Sequence, residues 1–249
     1  MNGGLFQASR IVASAKKALH DNSDLMFDPA NYVLDITFDF LPGESSFHAD
    51  SVAGWYRECR NQCIEDIKLY VSFDAKEDKD IAGFSNAVPA MLLCFFRDGK
   101  VTYFIPRWSS DKEKEGWHIQ YAERLWEHPP KGKPSFQDPY CALTAALCEI
   151  EHLALTLGEP SFESCFREAR QCLTLKQFHT TELTPSLPEY NLKLFLAAQK
   201  AFVFGGMGSW NDSPRGKASE MGLIEEYESL STNLFSQVMS AILFAVNEW

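Results

Sequence analysis

Between Val33 and Phe40 apolar and polar residues alternate: Leu34, Ile36, Phe38 and Phe40 fall on one side, Asp35, Thr37 and Asp39 on the other. Successive side chains leave a strand on opposite faces, so this period of two predicts a half-buried β-strand, ended by Pro42-Gly43. Ile67, Leu69, Val71 and Phe73 alternate in the same way with Lys68, Tyr70 and Ser72. Met91–Phe96 and Val101–Ile105 flank Arg97-Asp98-Gly99-Lys100. An Asp-Gly pair between two β-rich runs predicts a hairpin, because glycine accepts the positive φ of the tight turn. Around these runs the period changes. Leu5, Ile11, Val12, Ala15 and Leu19 predict a helix over 5–20 that stops at the polar run Asp21–Asp24. Asp50-Ser51 is an N-cap for a helix through Cys63. Residues 106–116 read as a charged loop and Trp117–Trp126 as a helix.

Pro129-Pro130-Lys131-Gly132-Lys133-Pro134 reads as a stiff linker that no apolar periodicity crosses. After it the pattern is helical. A helix capped by Asp138-Pro139 runs to Leu157 and stops at Gly158. A second follows Pro160 to about Leu175, a third runs from Pro188 to Gly205, and a fourth from about Ser219 to Asn247. Ile224, Tyr227, Leu230, Leu234, Val238, Ala241, Ile242 and Ala245 form one stripe of that last helix. The predicted fold is α+β: an N-terminal antiparallel sheet with flanking helices over 1–134, followed by a C-terminal helical bundle over 135–249.

The chain has 249 residues, 45% of them hydrophobic, enough for a full core. Its net charge is −11, from 16 basic against 20 acidic residues in 1–134 and 7 against 14 in 135–249. No basic block occurs, so neither nucleic acid nor an anionic membrane surface is an expected partner; a cationic protein or peptide is compatible. Met1–Arg10 has no signal-peptide pattern, and stretches such as Ala90–Phe96 are too short to span a bilayer. Seven cysteines, an odd number, suggest thiols in a reducing, cytoplasmic setting. No cofactor motif is present.

The chemistry concentrates in Gly205–Pro214. Gly205, Gly206 and Gly208 open backbone conformations that a Cβ forbids. Ser209, Asn211 and Asp212 are short polar residues that bond nearby backbone, and Trp210 is costly to leave in water. As a recognition loop, these residues would offer amides and an indole platform to a ligand or peptide. As a tight helix connection, Gly205 would be a C-cap and Trp210 a plug. No Lys-Ser/Thr follows the glycines, and Gly-x-Ser-x-Gly is absent, so this is neither a Walker loop nor a nucleophile elbow. The segment Phe202-Val203-Phe204-Gly205-Gly206-Met207-Gly208-Ser209-Trp210-Asn211-Asp212, with Glu225-Glu226-Tyr227, Ser231, Leu234-Phe235 and Ala245-Val246-Asn247 after it, resembles the C-terminal signature of a family of uncharacterised bacterial proteins. The resemblance covers the last fifth to quarter of the chain. It implies a bacterial cytosolic origin and a glycine-tryptophan loop between two helices, and it supplies no catalytic residues.

Weaker constellations remain. Glu149 with His152, and Glu115 with His118, have the i, i+3 spacing of carboxylate-bridged metal sites. Cys59 and Cys63 with His48 match no zinc spacing. Cys141/Cys148 and Cys165/Cys172, each seven apart, suit a seam between two helices. Trp108, Trp117, Tyr121 and Trp126 either line a sugar or peptide groove or pack in the core. The leading expectation is a non-enzymatic interaction or immunity-type module using the glycine-tryptophan loop. The alternatives are a hydrolase, with Ser209, Asn211 and Asp212 served by His179 or His152, and a metal-binding protein.

Overall fold

The computed structural model describes residues 1–41, 47–80, 82, 89–127, 132–175 and 186–249. The turn expected at Pro42-Gly43, His179 and the linker residues Pro129, Pro130 and Lys131 lie outside the described residues. The chain forms two compact units. The sheet unit comprises Gly4–Val71 and Pro89–Pro134; the helical unit comprises Met1–Gly3, Ser72–Val88 and Ser135–Trp249.

In chain order the sheet unit holds α1 (Gly3–His20), β1 (Val33–Asp39), β2 (His48–Ala49), α2 (Val52–Asn61), β3 (Ile64–Val71), β4 (Ala90–Phe96), β5 (Val101–Asp111) and β6 (Gly116–Leu125). The strands form one mixed sheet in the order β2-β1-β6-β5-β4-β3. Every ladder is antiparallel except β1–β6, which is parallel, with Ile36 opposite Ile119 and Phe38 opposite Tyr121. Period-two alternation specifies a face and not a direction, and α2 and four strands intervene between β1 and β6, so no hairpin dictates their sense. Ser51 caps α2, its Oγ accepting from the Gly54 amide at 3.1 Å. Trp55 of α2 packs on the alternating face of the sheet. Phe38 stacks on Trp55 and on Tyr121, with centroids at 5.0 and 5.1 Å, and Phe104 meets Phe38 and Trp55 edge-on.

Two expectations change here. Trp117–Trp126 is not a helix: Gly116–Leu125 is strand β6, and Ile119, Tyr121 and Glu123 are buried at every second position. The charged loop of 106–116 shrinks to 112–115, because β5 continues to Asp111 and pairs with β6 from Thr102 opposite Leu125 to Asp111 opposite Gly116. Proline is tolerated within β5 because β4 pairs only with residues 101–104; beyond that, β5 has a ladder on one side alone.

The helical unit contains a 3₁₀ turn (Asp78–Asp80), α3 (Tyr140–Thr156), α4 (Pro160–Cys172), α5 (Glu189–Ala201), α6 (Ser213–Glu220) and α7 (Ile224–Asn247). Gly158, at φ +66°, ends the turn after α3, and Pro160 opens α4. The segment expected to begin a helix at Ser219 is divided: α6 ends, Gly222 turns at φ +72°, and α7 begins at Ile224. α7 packs against α3, α5 and α6 through Tyr227, Leu234, Phe235, Val238, Ile242 and their neighbours. By length and a mean hydropathy of 1.4, α7 is long and apolar enough to cross a membrane, which corrects the expectation that no stretch reaches that size; 56% of that window is buried. The cysteine seam is also corrected. Cys141 and Cys148 are exposed, because the buried face of α3 is Leu143, Ala146, Leu147, Ile150 and Leu153, and a spacing of seven keeps both thiols on the opposite face.

Candidate functional site

The glycine-tryptophan loop runs from the end of α5 to the start of α6, and its glycines adopt the conformations their identity allows. Gly205, Gly206 and Gly208 have φ of +80°, +87° and +73°. The Trp210 amide donates to the Val203 carbonyl at 3.0 Å, closing the loop at its neck. Inside, the Gly205 amide donates to Asn211 Oδ1 at 3.3 Å and the Gly208 amide to Asp212 Oδ2 at 2.9 Å. The Asn211 amide donates to Ser209 Oγ at 3.3 Å and the Asp212 amide to the Ser209 carbonyl at 3.1 Å. The short polar side chains therefore bond the loop's own backbone.

Trp210 is fully buried. Its indole Nε1 donates to Ser231 Oγ at 2.8 Å, and its carbonyl accepts from the Tyr227 hydroxyl at 2.5 Å. The ring lies against Tyr227 at 5.4 Å and meets Phe162 and Phe166 edge-on, both at 5.2 Å. The indole is thus the plug of the loop and not an exposed platform: four aromatic and hydroxyl partners from α4 and α7 remove it from water more completely than a surface contact would. What remains in solvent is the tip. Gly206, Met207 and Gly208 are exposed, Met207 completely. Among the described residues, the amides of Gly206 and Met207 make no hydrogen bond. A hollow of about 360 Å³ lies on one side of Met207, walled by Phe162, Phe202 and Val203; another of about 440 Å³ lies on the other, walled by Asp80, Asn211, Asp212 and Arg215.

The second hollow borders an ionic cluster. Asn211 Nδ2 donates to Asp80 Oδ1 at 2.7 Å. Lys79, almost wholly buried, pairs with Glu228 at 3.0 Å and Asp80 at 3.5 Å, and Arg215 Nε bonds the other oxygen of Glu228 at 2.7 Å. Burial pushes the Glu228 carboxyl up, but the hydrogen bonds from Lys79 and Arg215 outweigh it and hold it below its ordinary value. Sequence reasoning had no route to Lys79, Asp80, Arg215 and Glu228, since their meeting depends on the fold. Met207 did carry a signal: a large apolar residue between two glycines has little local structure to pack against.

The other constellations separate. Glu149 and His152 are exposed on α3, and Glu115 sits in a turn at φ +50°. Among the described residues, no three of His, Cys, Asp and Glu come together as a metal-ligand set. Among them also, no histidine bonds Ser209, Asn211 or Asp212. Two histidines instead bridge carboxylates on the sheet. His118 Nδ1 lies 2.6 Å from Asp35 and its Nε2 3.5 Å from Asp111; His48 Nδ1 lies 2.6 Å from Asp39 and its Nε2 3.0 Å from Asp50. Ser109 is opposite His118 in the β5–β6 register, which sets serine, histidine and Asp35 in a row across three strands. Both ring nitrogens of His118 face carboxylates, which makes the row an ion-pair cluster.

Compared with protein-family models, with curated proteins and with solved structures, the chain finds no match.

Proposed function

We propose that the protein is a non-enzymatic binding module, of interaction or immunity type, that takes a protein or peptide partner on the Gly206–Gly208 tip. The observation that carries this reading is the complete exposure of Met207, between two hollows, on a loop whose side-chain oxygens at Ser209, Asn211 and Asp212 accept from its own amides. Exposed thioethers are adaptable contacts that fill irregular apolar pockets. The unbonded amides of Gly206 and Met207 offer two donors to a partner's carbonyls or carboxylate. A loop anchored by a buried indole loses little conformational freedom on binding, so less of the contact energy is spent on ordering it. The net charge of −11, with Asp80 and Asp212 beside the tip, favours a cationic partner. The hydrolase alternative lacks support of this kind, since Ser209 and Asp212 are occupied in the loop and no described histidine reaches them. Seven free thiols fit a reducing, cytoplasmic setting.

The test places a photoreactive methionine analogue at position 207, or at the exposed control Met221, in the native host. A specific protein adduct at 207 and none at 221, abolished by free unlabelled protein as competitor but not by Met207→Asp protein, supports the reading. Equal labelling from both positions refutes it.

A further inference from the structure

The sheet face turned away from Trp55 is not uniformly polar. Toward the β3 edge, Tyr70, Met91, Leu93, Tyr103 and Ile105 share it by register. With Trp126, just past the end of β6, they line a hollow of about 580 Å³. Leu93 is fully buried at its floor, while Tyr70, Tyr103 and Trp126 remain half-exposed. Trp126 meets Tyr70 at 5.6 Å and 70° and Tyr103 at 6.1 Å and 78°. The rings therefore stand at steep angles around a space instead of stacking into a closed block.

The charge around this space is one-sided. Among the described residues, Glu127 lines it and no lysine or arginine does. The basic residues nearest by register, Lys68 and Arg124, bond the carbonyls of Pro134 and Glu123. Elsewhere the protein's own cations cover its rings, as Arg10 does Phe27 and Lys100 does Phe96, but among the described residues none stands over Tyr70, Tyr103 or Trp126.

We infer that this hollow binds a small organic cation with a quaternary ammonium head, its methyl groups against the three rings and its charge offset by Glu127. Ring faces attract a cation through their quadrupoles, and tryptophan and tyrosine do so best. A primary ammonium is the poorer fit, because its three N–H groups need acceptors and the described lining offers, beside Glu127, only the hydroxyls of Tyr70 and Tyr103. A quaternary head has no N–H to satisfy. The volume lies within the range of pockets that take a whole small molecule, roughly 300–1,000 Å³, so the site is assigned to a free compound and not to a side chain of a protein partner.

The experiment follows the Trp126 indole N–H resonance of the full chain while adding tetramethylammonium, choline, the neutral choline isostere 3,3-dimethylbutan-1-ol, or a trimethyllysine peptide. Both free ammonium compounds are expected to shift it and to bind at least about tenfold more tightly than the isostere. Glu127→Gln, at an exposed position, is expected to weaken choline about three- to tenfold with the resonance pattern otherwise intact. Trp126→Leu is expected to abolish binding, read by mass-detected ligand retention in protein of unchanged circular dichroism. Absence of any shift, an isostere that matches choline, or a Glu127→Gln variant of unchanged affinity overturns the inference. Binding of the peptide without binding of choline overturns the assignment to a free compound.

Discussion

Trp210 shows how one side chain can be both the most conspicuous feature of a loop and the least available to a partner. Its indole is enclosed by Phe162, Phe166 and Tyr227 and bonded to Ser231, itself fully buried. Trp210→Ala is expected to cost about 3–5 kcal/mol in a denaturant titration, the range for emptying a large aromatic site. Trp210→Phe keeps most of the ring contact but leaves the Ser231 hydroxyl without its donor, for a loss of about 1–3 kcal/mol. A loss below about 1 kcal/mol for the alanine variant would remove Trp210 as the anchor of the tip. The glycines act by a different mechanism. A Cβ at Gly206 or Gly208 meets nothing within 4 Å, so the cost of alanine there is backbone strain alone. At φ of +87° and +73°, Gly206→Ala and Gly208→Ala should each destabilise by about 1–2 kcal/mol, and asparagine, which tolerates this region better, by less. Equal stability of the alanine and glycine proteins would mean that the tip relaxes away from these angles.

At the scale of elements, the paired strands β1 and β6 organise titratable groups that no single segment contains. The hydrogen bond that His118 donates to Asp35 raises the pKa of His118 above its ordinary value, and the bond to Asp39 does the same for His48, in each case against a smaller opposing effect of desolvation. A raised histidine pKa gives stability that is complete below the unfolded value of about 6.5 and is lost as pH rises through the folded value. The His48 ring is exposed and that of His118 half-exposed, so the effect belongs to the sites more than to global stability. Ring-proton titration should place both midpoints above about 6.5, with Asp35→Asn lowering that of His118 alone; a native midpoint at or below that value contradicts the pairing. The same strands mark where the sequence was opaque. β1, the Asp98-Gly99 hairpin, the Ser51 cap, the Gly158 stop and the Pro160 start were legible because each rests on local backbone chemistry. β6 was misread because Trp117 and Tyr121 satisfy an i, i+4 spacing as well as a period of two, and because Pro106 and the charges after it suggested a loop. What makes that proline tolerable is the early end of β4, a tertiary fact. In the candidate loop the need for positive φ was legible at Gly205, Gly206 and Gly208. The burial of Trp210 was legible only as one of two readings, the plug and the exposed platform, since the partners that decide it begin at Phe162 and end at Ser231.

At the scale of the whole chain, the helical unit recruits a segment from the first half, whose described residues 72–80 reach the foot of the glycine loop. Phe73 meets Phe235 edge-on, while Lys79 and Asp80 reach Glu228 and Asn211 across more than 130 residues of sequence. Closing so long a loop is costly in entropy, and an isolated surface ion pair would return little of it. Glu228 is placed to return more, because it is the shared anion of buried Lys79 and of Arg215. Glu228→Gln strips Lys79 of its closer carboxylate and leaves it Asp80 at 3.5 Å and the Lys76 carbonyl at 3.4 Å, for an expected loss of about 1–3 kcal/mol at neutral pH. Since the folded pKa of Glu228 lies below its ordinary value of 4.5, the wild-type advantage is complete above that pH and fades as pH falls through the folded value. Denaturant midpoints of the two proteins should therefore differ at pH 7 and converge in acid. A gap that persists undiminished well below the carboxylate range would show that glutamine acts through altered packing, and that the ionic cluster does not hold this distant segment in place.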